Sequence, residues 1–503
     1  MVLTDCDILV VGGGINGCGI ARDAAGRGYS VILAEKSDLA GGASSASTKL
    51  VDGGVRHLEQ REIRLLREAL TEREILWRMA PHIVRPLRFV LPHSGRRRPA
   101  WRMRLGLFVY DHVGTRKLLP PTRRINLRKD EAGWPLKPTF TRAFEYSDAW
   151  AEDSRLVVLN AVDAYNRGAR ILTRTAVTQI ERRDGVFHVQ LRDMRTGALS
   201  WKVARLVVNA AGPWVDRLRR AMNKGAAVAR ARLLQGSHIV VPKLFSHDRS
   251  YILRHTDNSL VFAVPFERDF TLIGATDRQL CSDPDHLSIS TEEIGFLCEA
   301  ATAYFRQPVL PSDVVWSYTG VRSLYGKNVS DTQKAPHDYV LEAEEGADGD
   351  VAIHVYGGKI TTYRRLAEAV MRLVEKALDK RGPAWTADSR LPGGDLQIGG
   401  LDDLLARLRK SAPDVPVATL ERLMMNYGTF ALAILRDGSL GSMIGADLGE
   451  NELRHLVEME WAMTPEDVLW RRTKLGLRFS AVETRKLAGR IGEMTGNEAV
   501  LEQ

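Results

Sequence analysis

The stretch CDILVVGGGINGCGIARDAAGRGYSVILAE, residues 6–35, restricts what this chain can become more than any other part of it. An apolar run from Ile8 to Val11 leads into Gly12-x-Gly14-x-x-Gly17. Small residues and Ile20 follow at helical spacing, and a second apolar run, Val31 to Leu33, ends at Glu35. The pattern is that of a strand, a tight turn, a helix and a second strand. Gly12 serves the turn, Gly14 the close approach of a pyrophosphate to the backbone, and Gly17 the close packing of helix on sheet. The helix start offers free N–H groups and a positive dipole end to an anion. Glu35 stands where a carboxylate accepts ribose hydroxyls and repels a 2′-phosphate. Two further stretches, ARILTRTAVTQIERRDGVFHVQL and LVVNAAGPWVD, lie far downstream and point to one large cofactor touched by distant parts of the chain, which favours FAD over NAD.

At 503 residues the chain is too long for a single core, and two or three domains are expected. Lys and Arg exceed Asp and Glu by 71 to 62, a modest excess compatible with an anionic substrate or an anionic membrane surface. No concentrated basic tail or aromatic nucleic-acid motif is present, so nucleic acid is not an expected partner. Cys6, Cys18, Cys281 and Cys298 show no CxxC spacing, which argues against a metal site or a disulfide framework and fits a reducing cytoplasm. No apolar run approaches the roughly 18–20 residues of a spanning helix, and no signal peptide is expected ahead of Cys6. RGPAWTADSRLPGGDLQIGG reads as a linker; beyond it LDDLLARLRK, VATLERLMMNY and NELRHLVEMEWAM have helical apolar spacing and no obvious chemistry, the mark of a packing or dimerisation module.

Four other stretches carry candidate chemistry. In KLVDGGVRHLE, Arg56 follows the Gly53-Gly54 pair, and in SYTGVRSLYG, Arg322 follows a glycine; a guanidinium matches phosphate oxygens in bidentate fashion. YGGKITTYRRLAEAVMRLVEKAL combines a glycine turn, Lys359 and a helix with Leu366, Val370 and Val374 on one face. A helix start beside an ammonium can face the edge of a flavin where negative charge gathers on reduction, with Thr361 or Thr362 as N-cap. QGSHIVVP puts His238 at the start of a strand, where it is either a general base or a satisfied structural imidazole. SGRRRPAWRMRLGLFVYDHVG, residues 94–114, mixes arginines with Trp101, Leu105 and Phe108, as suits an anionic bilayer surface, although Trp101–Leu105 also reads as a half-buried strand.

Together VVGGGINGCGIARDAAGRG, SSASTKLVDGGVRHLE, EALTEREIL, AFEYSDAW, NAAGPWVD, QGSHIVVP, SYTGVRSL and YGGKITTYRRLAE resemble the FAD-dependent, quinone-linked glycerol-3-phosphate dehydrogenases of the aerobic bacterial kind. The resemblance implies an α/β fold, α+β overall. A discontinuous Rossmann-like FAD domain (1–90, 145–230, 335–390) is joined by an antiparallel-sheet substrate domain of the amino-acid-oxidase type (91–144, 231–334) and a helical domain (391–503). It implies oxidation of sn-glycerol 3-phosphate to dihydroxyacetone phosphate, with electrons passed to a membrane quinone at the cytoplasmic face of the membrane, and leaves room for a homodimer. His238, Arg322 and Lys359 are the implied catalytic residues, and Arg56, His57, Arg322, Lys359 and Thr361 border the substrate. FAD contacts are implied for Gly12, Gly14, Ile15, Asn16, Gly17, Glu35 and Lys36, for Ser44, Ser45, Lys49 and Leu50, for Val177 and Gly212, and for Lys359, Ile360 and Thr361; no metal is implied. Asp52, His57 and His337 depart from the pattern of relatives and weaken the phosphate assignment. The competing reading is a flavin oxidase of the same fold that uses oxygen.

Overall fold

The computed structural model describes residues 3–54, 62–93, 100–113, 119–223, 225, 228–255, 257, 259–280, 283–285, 287–326 and 339–496, the side chains of 100–102 left aside. The first apolar run forms the strand Cys6–Val11 inside an eight-stranded sheet ordered Val340–Glu345, Val351–Tyr356, Leu199–Asn209, Cys6–Val11, Val31–Ala34, Arg170–Leu172. From Val351–Tyr356 to Arg170–Leu172 every pairing is parallel. Such strands are covered on both faces and must be apolar throughout, and Cys6–Val11 is buried at each position. The hairpin of Thr175–Arg183 and Val186–Asp193 joins the sheet through the first half of Leu199–Asn209.

Ile15–Gly26 is a helix of small residues, which lets the helix Tyr363–Ala377 come close: a Cβ on Gly19 would fall 2.6 Å from the Tyr363 ring. Leu366, Val370 and Val374 are buried on the expected face. Each such side chain contributes about 1.5–3 kcal/mol.

The second sheet has ten strands, ordered Arg278–Gln279, Ala231–Pro242, Phe270–Gly274, Leu260–Phe266, Ser250–Arg254, Val84–His93, Arg142–Ala151, Leu50–Val51. Trp316–Tyr325 pairs with Ala231–Pro242, and Arg123–Asn126 with Arg142–Ala151. It is antiparallel except where Ser250–Arg254 runs parallel to Val84–His93. Two expected domain borders differ from this arrangement: Val84–His93 runs across 90/91, Arg142–Ala151 runs across 144/145, and Leu50–Val51 joins the sheet from within the first segment. Alternating burial looks the same in either sheet, so only the pairing partner assigns such strands.

Beyond the linker, the helices Leu401–Ser411, Val417–Tyr427, Glu450–Glu460 and Ala481–Thr495 share a core that includes Leu404, Leu408, Leu423, Leu453, Leu456 and Ile491. The last of them starts in a capping box between Ser480 and Glu483 and stops at Gly496, whose φ is +65°. This mixed α/β architecture is the one expected. Residues 100–113 form the helix Ala100–Val113 in place of a half-buried strand, with Leu105 and Phe108 56% and 58% exposed. Among the described residues no helix is long and apolar enough to cross a membrane.

Candidate functional site

The glycine turn has the geometry its sequence requires. Gly12 has φ +110°, and a Cβ there would meet the Ala210 carbonyl oxygen at 2.5 Å; a Cβ on Gly17 would meet the Gly12 oxygen at 1.9 Å. Gly14 is the N-cap of the first helix and supplies no side-chain cap, while Ser44 Oγ accepts the Ile15 N–H at 3.0 Å. Glu35 braces the turn: Oε2 accepts the Gly13 N–H at 2.6 Å, and Oε1 accepts the Ser37 N–H and hydroxyl at 2.8 and 2.9 Å. Oε1 is thereby filled, while Oε2 keeps a lone pair for a ribose hydroxyl.

A second glycine turn closes on the first. Gly357 and Gly358 have φ +74° and +94°, Asn16 Nδ2 donates to the Gly357 carbonyl at 3.0 Å, and a Cβ on Gly358 would lie 2.9 Å from Asn16. Thr361 is buried, and Thr362 is the N-cap of Tyr363–Ala377 without a side-chain cap bond; its N–H donates to the Lys359 carbonyl at 3.1 Å. Asn16 Oδ1 and Thr362 Oγ1 are buried without a hydrogen-bond partner among the described residues. Buried orphaned acceptors are costly. Two such atoms beside two facing helix starts fit one extended cofactor carrying a pyrophosphate and polar ring edges, as FAD does.

The segment Ser44–Leu50 connects this cradle to the second sheet. Lys49 has φ +60°, and its buried ammonium donates to Asp153 Oδ1 at 2.5 Å and to the Ser45 carbonyl at 3.2 Å. Ser47 donates to Asp153 Oδ2 through its hydroxyl at 2.8 Å and its N–H at 3.2 Å. Leu50 is buried and pairs with Trp150. Along Trp316–Tyr325, period-two alternation puts Tyr318, Gly320 and Arg322 on one face. A Cβ on Gly320 would meet Ala46 Cβ at 2.9 Å, so that face lies against this segment.

His238, paired with Tyr318 across the sheet, stacks on it at 4.8 Å, and its Nε2 lies 2.9 Å from Thr48 Oγ1. Burial, Lys49 and Arg322 push the imidazole down to about 3 against the opposing effect of Asp153. The ring is therefore neutral and does not titrate near pH 7 as its residue type suggested. In the tautomer whose Nε2–H donates to Thr48, Nδ1, which has no hydrogen-bond partner among the described residues, is a free lone pair.

Other expected residues fall into three groups. Val177 and Gly212 lie close in sequence to residues of the first glycine turn: Val177 follows Thr175, whose N–H donates to the Glu35 carbonyl at 2.7 Å, and Gly212, with φ +55°, follows Ala210 at the Gly12 turn. Ile360 lies in the second glycine turn beside Lys359. Lys36 points outward, 2.8 Å from Asp285 and over the Trp214 ring at 4.0 Å. Arg322 is 54% exposed and 3.1 Å from Asp277, a solvated pair weak enough for a dianion to displace. Arg56, His57 and His337 lie outside the described residues, as do Arg96–Arg98. Sequence reasoning missed Thr48, Asp153, Tyr318, Lys474 and Asp285. Thr48 and Tyr318 lay inside the motifs above and Lys474 inside DVLWRRTKLGL, which resembles the same family, but Asp153 carries no local signal.

The FAD dependent oxidoreductase family matches residues 7–364, and the C-terminal domain of alpha-glycerophosphate oxidase matches residues 384–500. A D-erythritol 1-phosphate dehydrogenase of Brucella abortus is 44% identical over 482 residues, 95% of this chain and 96% of that protein. A glycerol-3-phosphate dehydrogenase of Pseudomonas aeruginosa is 44% identical over 485 residues, 96% and 94% of the two chains. Among solved structures, a glycerol-3-phosphate dehydrogenase of Bacillus halodurans complexed with FAD superimposes with a TM-score of 0.79 at 28% identity, covering 99% of this chain and 92% of that one.

Proposed function

The chain belongs to the FAD-dependent oxidoreductases, in the branch that holds the glycerol-3-phosphate dehydrogenases, and from that premise we propose that it oxidises the secondary alcohol of sn-glycerol 3-phosphate to dihydroxyacetone phosphate. Near-full-length identity of 44% to a glycerol-3-phosphate dehydrogenase carries this reading. FAD, when bound, accepts the hydride leaving C2. Arg322, with Arg56, binds the phosphate; Lys359 at the second helix start offers positive charge toward the cofactor; and His238 Nδ1 takes the hydroxyl proton. The dianion brought in by the substrate raises the proton affinity of an imidazole that burial, Lys49 and Arg322 otherwise hold down.

A membrane quinone is the proposed electron acceptor, reached from the cytoplasmic face by peripheral binding. The exposed Leu105 and Phe108 on a helix that follows an arginine-rich stretch support this. Two alternatives rest on specific observations. Equal identity to a D-erythritol 1-phosphate dehydrogenase favours a four-carbon polyol phosphate. The oxidase name of the carboxy-terminal family favours oxygen as acceptor.

Anaerobic bleaching of the flavin by sn-glycerol 3-phosphate, D-erythritol 1-phosphate and glycerol separates these readings, and peroxide formed in air identifies an oxidase. Glycerol, without a phosphate, is expected to bleach poorly. Arg322→Ala is expected to raise the half-saturating substrate concentration at least tenfold, since a charge-assisted hydrogen bond is worth about 1.5–3 kcal/mol. No bleaching by either phosphate in the parent protein rejects the proposal.

A further inference from the structure

The helical carboxy-terminal unit reaches the wall behind His238 through the π-helical turn Asp467–Arg472 and the residues just after it. Trp470 lies on Trp316 with ring centroids 4.3 Å apart, Trp316 meets Tyr318 at 4.9 Å, and Tyr318 carries His238 at 4.8 Å. Lys474, at φ +60° and 3% exposed, turns its ammonium inward to donate to the Trp470 carbonyl at 2.6 Å and to Ser154 Oγ at 3.1 Å. The Ser154 N–H in turn donates to Asp153 Oδ1 at 2.8 Å, the oxygen that also accepts from Lys49.

One buried carboxylate thus stands between two buried ammonium groups, one from the segment beside the cofactor cradle and one from the carboxy-terminal unit. Burial pushes Asp153 up, but Lys49, Lys474 and the Ser47 hydroxyl outweigh it and hold the carboxyl below its ordinary range. Burial and Lys49 bring Lys474 down to about 8, against the pull of Asp153, Glu152 and Glu267.

We propose that Lys474 is a positioning residue: with Trp470 it fixes Asp153, and through Asp153 it fixes the Ser47–Lys49 segment and the Thr48–His238 contact in their working geometry. The carboxy-terminal unit then completes the active-site wall in addition to packing. This rests on the reading of His238 and the cofactor cradle given above. The charged groups facing Lys474 are Lys49, Asp153, Glu152 and Glu267, with Arg478 and Arg85 acting on Glu267. Loss of the Lys474 proton removes one of the two cations beside Asp153, so the wall loosens as pH rises through about 8.

The test uses the FAD-loaded full chain and three variants: Lys474→Met, which keeps length without charge; Lys474→Arg, which keeps charge; and Ser154→Ala, which removes the hydrogen-bond acceptor and stands in if the methionine variant does not fold. Anaerobic bleaching by saturating sn-glycerol 3-phosphate and the visible circular dichroism of the flavin are followed from pH 6 to 9.5. Lys474→Met is expected to slow bleaching about 10- to 100-fold, as displacements near 1 Å do. Its half-saturating concentration should change less than about threefold, which separates positioning from substrate binding. The fall in rate above about pH 8 should disappear in Lys474→Met, and Lys474→Arg should restore the rate without that fall. Ser154→Ala should slow bleaching to a smaller extent. Superimposable rates, pH profiles and flavin dichroism for Lys474→Met, or for Ser154→Ala where the former does not fold, overturn the proposal. If no polyol phosphate bleaches the parent, the reaction assigned above fails, and the dichroism alone decides: a transition near pH 8 present in the parent and absent from Lys474→Met supports positioning, and identical curves overturn it.

Discussion

Among the described residues, two of the ionic seams that join the nucleotide-binding sheet to the rest of the molecule differ in everything but their chemistry. Toward the carboxy-terminal unit, Arg472 grips both oxygens of Asp38 at 2.8 and 2.9 Å, Arg471 reaches Asp38 at 2.6 Å, Arg174 and Arg471 share Asp467, and Arg155 pairs with Glu460. Asp38, Asp467, Arg472, Arg155 and Glu460 are almost wholly buried, and Arg174 and Arg471 are 15% exposed. Toward the second sheet, Lys36 and Arg217 both hold Asp285 at 2.8 Å, Arg217 holds Asp283 at 3.0 Å, and Trp214 Nε1 donates to Asp285 at 2.8 Å. Here the side chains are a third to a half exposed.

Water makes the difference. Charges taken out of it depend on their partners, whereas charges left in it are screened and replaceable. The buried seam is therefore a structural commitment behind the glycine turn, since Ala40, two residues past Asp38, donates its N–H to the Gly13 carbonyl at 3.0 Å. The exposed seam is a weak closure beside Glu35 and the expected adenosine end of the cofactor.

The largest effect is expected from breaking the buried seam. Arg472→Met leaves Asp38 with Arg471 alone and the Glu460 carbonyl without the Arg472 donor, at a cost of about 3 kcal/mol, read as a lower urea midpoint. A midpoint equal to that of the parent would show that this seam behaves like a solvated one.

An intermediate effect belongs to Glu267, at the contact where Arg478 donates to the Glu267 carbonyl at 2.6 Å. Burial and Glu152 push its carboxyl up to about 7, although part of its surface is wet. A raised folded value means that this group contributes most below the ordinary glutamate value of about 4.3 and loses that contribution as pH rises toward 7. Glu267→Gln is expected to raise the melting temperature at pH 8 and leave it nearly unchanged at pH 4. An equal shift at both pH values would assign the effect to packing.

The smallest effect is expected at the exposed seam. Asp285→Ala should change stability by less than about 1 kcal/mol. Its signature is kinetic: FAD release from the parent should quicken as salt rises from about 0.1 to 1 M and the screening length falls from about 10 to 3 Å. Release from Asp285→Ala should be fast and indifferent to salt. A parent whose FAD release ignores salt would remove Asp285 from the closure.

What was legible in the sequence was what short range controls. Gly12, Gly14 and Gly17 work through their own backbone and their immediate neighbours, and the periodicity of Leu366, Val370 and Val374 is a property of one helix, so both could be read from spacing. The mixed α/β fold with a helical end was expected from the family resemblance that the motifs carry, not from spacing. Membership of the strands Val84–His93 and Arg142–Ala151 could not be read, because an alternating strand looks alike in any sheet. Nor could the neutral state of His238, which depends on burial and on Lys49 and Arg322 as neighbours, or the outward turn of Lys36 toward Asp285.

The chain by itself determined a dinucleotide turn, a second glycine turn and a helical end. Only the tertiary structure decided that Asp153 and Lys474, 321 positions apart, share one buried electrostatic site with Lys49. Backbone requirements are written in consecutive residues, whereas the energy of a buried charge depends on whatever the fold brings within a few ångströms of it.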